Sequence, residues 1–244
     1  MSETQSIQLV LQTVRNRIAS AETQFHRSLG SVHLLAVSKG KPAHAVREAC
    51  AAGQTAFGES YVQEAALKLD TLSNLAGLSW HFIGRIQANK TRFIANRFDW
   101  VHSVDRLKIA RRLSEQRDPT SPPLSVCLQV NLSREGSKAG VSVEEELWQL
   151  AARVAELPRI RLRGLMTIPQ PIENFQAQRL PFRALRKLLE QLNAQGLALD
   201  TLSMGMSHDL EAAIAEGATI VRIGTAIFGP RSPIRTDQDS REMA

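Results

Sequence analysis

The sequence predicts an α/β protein, a TIM-type (β/α)8 barrel preceded by one extra helix. Three observations lead there. Short apolar runs alternate with helix-period segments from His33 to Ile223 without a linker or low-complexity stretch. The alternation gives eight strands with helices between them in roughly 200 residues, the arithmetic of a closed barrel. No GxGxxG follows the first strand, which disfavours the alternative, a doubly wound open sheet.

The chain opens with an amphipathic helix. Ile7, Val10, Leu11, Val14 and Ile18 recur at helical spacing, with Gln8, Gln12 and Arg15 on the remaining face. The run from His33 to Ser38, bounded by Gly30 and Gly40, reads as a strand buried on both faces. A helix over 42–53 follows and ends at the capping Gly53. Strands are then expected at 55–58, 79–83 and 99–102, with helices at 60–74, 88–97 and 105–116. After the breaker Pro122-Pro123 comes the clearest strand, 124–132, and a helix at 143–156. The pattern closes with strands at 161–168, 199–202 and 218–223 and helices at 175–195 and 207–216. Residues 1–230 are read as one barrel domain and 231–244 as a polar tail expected to fray.

The chain has 244 residues, 43% hydrophobic and 22% charged, which excludes a mostly disordered polypeptide and supplies a sizeable core. Its two cysteines, Cys50 and Cys127, are far apart and outside any CxxC, so they read as reduced, partly buried thiols. The net charge is +6 and the pI near 9.8. With 5% aromatics and acids interleaved among the bases, no nucleic-acid surface is expected. The densest basic stretch, Arg159, Arg161 and Arg163, reads as a solvated or helix-covered strand edge rather than a phosphate-backbone site. No secretory signal and no apolar run long enough to span a bilayer is visible, so a cytoplasmic protein is expected.

In such a barrel, chemistry sits in the loops after the strands. The first strand ends in Val37-Ser-Lys39-Gly40. Period-two alternation puts Lys39 on the face of Val37 and Leu35. If that face is inward, its amine stands in a partly apolar cup that favours the neutral nucleophile, the chemistry of a Schiff-base lysine; a solvated lysine fits the same position. The seventh strand runs into Ser203-Met-Gly-Met-Ser207 and the eighth into Arg222-Ile-Gly224-Thr225. Both are small-residue turns entering helices, where backbone N–H groups and the hydroxyls of Ser207 and Thr225 could receive a phosphate. An inward lysine beside a phosphate pocket fits two ligands: pyridoxal phosphate, or a sugar phosphate attacked by an aldolase lysine.

Six stretches occur in order: Val37–Pro42, Phe57–Glu64, Trp80–Lys90, Arg163–Pro169, Ser203–Asp209 and Val221–Gly229. Jointly they make the chain resemble the pyridoxal phosphate homeostasis proteins over about residues 5–230. The resemblance implies a fold-type III barrel like the N-terminal domain of alanine racemase. It also implies pyridoxal 5′-phosphate bound as an aldimine on Lys39, phosphate contacts at Ser207, Gly224 and Thr225, and Arg222 facing the pyridine nitrogen. Such a cationic partner keeps that nitrogen unprotonated and the cofactor a weaker electron sink. Lys138 matches a further family lysine, a secondary contact. Two positions depart from the family: Gly40 stands where Thr is usual, and Ser60 where an Asn contacts the cofactor region.

His81, His102 and His208 lack metal-ligand spacing and read as core or rim residues. Tyr61 and the three tryptophans read as packing residues. Three functions compete. The first, implied by the resemblance, is a non-catalytic monomer that holds pyridoxal phosphate and passes it to apo-enzymes. The second is an amino-acid racemase, which needs a tyrosine base from a β-domain; no tyrosine follows the eighth strand. The third is a Schiff-base aldolase.

Overall fold

The structure, a computed structural model, describes residues 6–132, 140–142 and 145–230. Eight strands form a closed parallel barrel in chain order: β1 (His33–Val37), β2 (Ala56–Glu59), β3 (Ser79–Phe82), β4 (Trp100–Val104), β5 (Leu124–Gln129), β6 (Ile160–Met166), β7 (Thr201–Ser203) and β8 (Ile220–Ile223). Closure is made by β1 against β8, with Leu34 opposite Val221 and Ala36 opposite Ile223. The sequence called for a barrel with eight strands and one leading helix, and that is the architecture found.

Helices cover the outside: α1 (Ile7–Gln24), α2 (Ala43–Ala51), α3 (Val62–Thr71), α4 (Thr91–Arg97), α5 (Leu107–Gln116), α6 (Glu145–Ala155), α7 (Phe175–Ala194), α8 (Leu210–Ala215) and the single turn α9 (Thr225–Phe228). Each strand gives residues to the core between sheet and helices, among them Ala36, Phe57, Phe82, Val101, Val126, Leu165, Leu202 and Val221. At 25 cal/mol per Å2, burying one such side chain contributes about 1.5–3 kcal/mol. That layer explains why the parallel strands read as apolar runs.

Helix α1 buries Leu11, Val14 and Ile18 as its periodicity predicts. Arg15 corrects the expected solvent face. It is half-buried and donates to the Ala52 carbonyl at 2.9 Å and to Gln54 Oε1 at 3.4 Å. Its long stem reaches around the apolar stripe to the open end of α2.

Several boundaries also move, among them the strands expected at 199–202 and 218–223, which are Thr201–Ser203 and Ile220–Ile223. The expected strand 124–132 ends at Gln129, and Val130 forms an isolated bridge to Val141. The expected helix 60–74 begins at Val62. The expected helix 207–216 begins only at Leu210, because Asp209 Oδ1 accepts the Met206 N–H at 2.5 Å and holds a turn ahead of it.

Two of the three arginines of the basic stretch are held by neighbours. Arg163 forms a two-pronged ion pair with Asp200 at 2.7 Å and lies over the Trp100 ring. Arg159 donates to the Ser114 carbonyl. Cys50 is half-buried and Cys127 fully buried; both are free, and burial pushes the Cys127 thiol up to about 12. Among the described residues no helix is long and apolar enough to cross a membrane.

Candidate functional site

The C-terminal ends of the strands enclose a cavity of about 210 Å3. Five residues singled out from the sequence line it: Lys39, Ser207, Arg222, Gly224 and Thr225. Val37, Ile83, Ile168 and Met206 supply apolar wall, and His208 a polar rim. The cavity is not the largest hollow. One of about 590 Å3 lies at the opposite end, against α1 and the starts of β1–β4. The mouth cavity stands out by its chemistry rather than its size.

Lys39 follows β1 in a loop clamped from several sides. Buried Ser38 donates from Oγ to Glu59 Oε1 at 2.6 Å. Lys68 donates to the same oxygen and to the Ser38 carbonyl, each at 2.6 Å. The Gly40 N–H donates to Glu64 Oε2 at 2.8 Å, and Lys41 Nζ to the Pro230 carbonyl at 2.6 Å. Gly40 has φ +71°, a conformation that a β-branched residue adopts only under strain. Burial raises the Glu59 carboxyl despite the attraction of Lys68, and its Oε2 has no partner among the described residues.

Arg222, on β8, is buried and charged. Burial lowers its guanidinium to about 10, against the pull of Asp209. Its NH1 donates to the Ser203 carbonyl at 2.6 Å and to Ser203 Oγ at 2.9 Å, and its NH2 to the Thr167 carbonyl at 2.9 Å. A guanidinium has five N–H donors. Two or more remain for whatever occupies the cavity that Arg222 lines.

Ser207 and Thr225 line the cavity from the β7 and β8 loops. Among the described residues, no carbonyl accepts from the N–H of Ser207, Thr225 or Ala226. Both helices that follow are short, so any anion received here would meet these N–H groups and the two hydroxyls rather than a long helix dipole. Gly224 lies so close to β1 that a Cβ there would sit 3.1 Å from the Val37 carbonyl oxygen and 3.3 Å from Val37 Cβ. Arg17 of α1 secures the β7 loop from outside: its guanidinium donates to the Ser207 carbonyl at 3.3 Å and to Glu211 at 2.8 Å.

Ser60 is not among the residues lining this cavity. It lines a neighbouring hollow of about 230 Å3 with Tyr61, Arg85 and Lys90. Tyr61 stands at the start of α3 as expected, but half-exposed rather than packed. Lys138 lies outside the described residues. Of the histidines, His81 and His102 are buried, and His208 is at the cavity rim. Sequence reading did not single out Arg17, Glu59, Glu64 or Lys68. For the last three a signal existed: charged residues within or just after the quoted Phe57–Glu64 stretch, where a buried strand end enters a helix.

Comparison with known proteins fits this geometry. The alanine racemase N-terminal domain family matches residues 10–232. A pyridoxal phosphate homeostasis protein of Pseudomonas aeruginosa is 61% identical over 218 residues, covering 89% of this chain and 93% of that protein. One from Escherichia coli K12 is 52% identical over 223 residues, 91% of this chain and 95% of the relative. The structure of PipY from Synechococcus elongatus with pyridoxal phosphate bound superposes with a TM-score of 0.77 at 40% identity, covering 87% of this chain and all of that one. Alanine racemase from Corynebacterium glutamicum, at 18% identity and a TM-score of 0.66, shares the fold over 91% of this chain and 61% of its own length. A barrel of this order, matched nearly end to end at such identity, belongs to the pyridoxal phosphate homeostasis protein family, within the wider alanine racemase N-terminal domain family.

Proposed function

We propose that the chain binds pyridoxal 5′-phosphate in the mouth cavity, covalently and reversibly through Lys39, and holds and releases this aldehyde instead of turning over a substrate. One observation carries the reading: Lys39 and the Ser207, Arg222, Gly224 and Thr225 group, far apart in sequence, line one small cavity. The PipY structure, solved with this cofactor, supports it.

When bound, the cofactor supplies an aldehyde carbon and an electron-withdrawing ring. Lys39 Nζ, once deprotonated, would hold that carbon through a carbon–nitrogen double bond formed with loss of water and undone by hydrolysis. Ser207 and Thr225 hydroxyls with neighbouring N–H groups hold the phosphate, and Arg222 presents N–H donors to the ring nitrogen. Val37, Ile168 and Met206 would supply apolar wall around the ring. Ser60 is retained as a flanking residue and Lys138 as a secondary contact, both on the family resemblance alone.

The non-catalytic part of the reading rests on a missing base. The chain has a single tyrosine, Tyr61, and it lines the neighbouring hollow rather than the mouth cavity. In this reading residues 1–230 act as one domain, a cytoplasmic monomer that passes the cofactor to apo-enzymes that need it.

The deciding experiment is a visible spectrum with pyridoxal phosphate before and after borohydride, followed by peptide mapping. The reduced adduct is expected on Lys39, and Lys39→Ala is expected to lose the imine band while keeping its fold. A normal band in Lys39→Ala would move the attachment to another lysine. Robust racemisation or decarboxylation abolished by Lys39→Ala would make the protein an enzyme.

Affinity should concentrate at the phosphate. A hydrogen bond to a charged group contributes roughly 1.5–3 kcal/mol, so Ser207→Ala is expected to weaken binding about tenfold or more. Gly224→Val should weaken it further, since the new side chain presses on Val37 two residues before Lys39. Equal dissociation constants for pyridoxal and its phosphate ester would place the phosphate site elsewhere. Arg17→Ala acts one step removed. Its ion pair with Glu211 is about one-third exposed, so stability should fall by less than about 1 kcal/mol. Loss of its bonds to the Ser207 carbonyl should still raise the dissociation constant several-fold, which a binding titration beside a melting curve separates.

A further inference from the structure

A chain of side-chain hydrogen bonds crosses the barrel interior, and its members beyond Arg222 take no part in the steps above. Arg222 NH1 donates to Ser203 Oγ at 2.9 Å. Ser203 Oγ meets His102 Nδ1 at 2.7 Å, and His102 Nε2 meets His81 Nδ1 at 2.9 Å. His81 Nε2 meets Ser79 Oγ at 3.0 Å. The members come from β8, β7, β4 and β3. Ser203 and His102 have no exposed surface. Ser79 and His81 line the hollow at the far end of the barrel. The chain therefore runs from the cofactor-side arginine to the opposite mouth.

The proton positions follow from donor counting. A guanidinium only donates, so Ser203 Oγ accepts from Arg222. The remaining Ser203 O–H has one side-chain acceptor within reach, His102 Nδ1. His102 then carries its proton on Nε2 and donates to His81 Nδ1. His81 likewise carries its proton on Nε2 and donates to Ser79 Oγ. The opposite sense would leave the Ser203 hydroxyl proton without a side-chain acceptor in a site closed to water, a costly arrangement. Both rings are neutral: burial lowers His81 to about 3, and burial, the repulsion that two protonated rings would exert on each other, and the Arg222 cation hold His102 well below its ordinary value.

We propose that Ser203, His102 and His81 are positioning residues for Arg222. Their one-way hydrogen-bond chain locks both rings as Nε2–H tautomers and offers the guanidinium acceptors only on its inner side. Its unspent N–H groups are thereby turned toward the cavity and the ring nitrogen there. This rests on the role given to Arg222 above.

The test has a ligand-free arm and a loaded arm. In ligand-free protein with 15N-labelled histidine, long-range ring correlations at neutral pH should show two buried rings, each protonated on Nε2 and bare on Nδ1. Ser203→Ala should shift the His102 Nδ1 resonance. In the loaded arm, Ser203→Ala and His102→Leu should displace the absorption maximum of the pyridoxal phosphate adduct. They should also weaken binding about threefold to tenfold, as losing part of one charged hydrogen bond would. His102→Asn, whose amide oxygen keeps an acceptor at the Nδ1 position, should restore both. Rings protonated on Nδ1, or a His102→Leu adduct with unchanged absorption and affinity, would overturn the proposal. If wild-type protein formed no adduct, the Lys39 reading would fall, and the nitrogen pattern alone would still decide the relay.

Discussion

Gly164→Ala is expected to abolish stable folding. A Cβ at this position of β6 would lie 1.8 Å from the Thr201 carbonyl oxygen and 2.6 Å from its carbon. Both belong to the backbone of β7, directly opposite in register, so no flexible side chain can give way. The two strands would have to part by more than an ångström, breaking the bond from Asp200 N to the Arg163 carbonyl and the ladder beside it. Ordinary overpacking costs about 1–3 kcal/mol; this backbone clash should exceed about 4 kcal/mol, a large part of a domain's stability. Gly77→Ala is the control, since nothing lies within 4 Å of its added Cβ and only its φ of +77° is penalised, at about 1 kcal/mol. Urea denaturation of the two variants makes the comparison. A Gly164→Ala protein with the wild-type midpoint would refute the close approach of β6 and β7.

The barrel should also be acid-sensitive well above the pH at which carboxylates usually dominate. In the unfolded chain the imidazoles of His81 and His102 take up protons near pH 6.5. In the barrel His81 stays neutral down to about 3, and His102 is likewise depressed, because burial penalises the cation. Below pH 6.5 the unfolded state therefore binds more protons, and stability falls as pH falls. The full contribution is present above that value and drains away toward the folded values, at about 1.4 kcal/mol per pH unit for each ring. By pH 5 the pair should have lost on the order of 4 kcal/mol, or about 10 °C in melting temperature for a chain of this size. Glu59 and Asp209, both raised by burial, act in the opposite sense but nearer the carboxylate range. Melting curves at pH 7.5 and pH 5 test this, and His102→Asn should remove about half of the slope. Equal melting temperatures at both pH values would mean the rings are not buried neutral.

The barrel was legible because its physics is local. Strands such as Leu124–Gln129, covered by helices, read as apolar runs, and Gly53 and Gly196 mark helix ends with positive φ. Period-two alternation placed Lys39 with Val37, and both line the cavity. The β7 loop was less legible: a single carboxylate, Asp209, holds a turn where the pattern suggested helix. The chemistry of the mouth was half legible. A lysine and two small-residue turns suggested a phosphate-bearing aldehyde ligand, while the named roles came from resemblance. The relay was out of reach, because His102 and Ser203 stand 101 residues apart and no spacing rule links them. Arg17 was hidden for the same reason, with its partners Ser207 and Glu211 lying 190 and 194 residues away.

That last separation has a consequence for biosynthesis. The Lys39 loop is made well before the Thr225 turn, yet β1 pairs with β8, and Lys41 reaches Pro230. A nascent chain can assemble its early strand–helix units, but β1 waits for β8 before the barrel can close. On the proposed site, capture of the cofactor would have to wait for β8, and would act as a clasp on the seam between β8 and β1. At a hundredfold excess over its dissociation constant a ligand that binds only the closed form adds about 2.7 kcal/mol to that seam. Vitamin-starved cells would then hold this protein chiefly in its more easily opened form, at the moment when free cofactor is scarce.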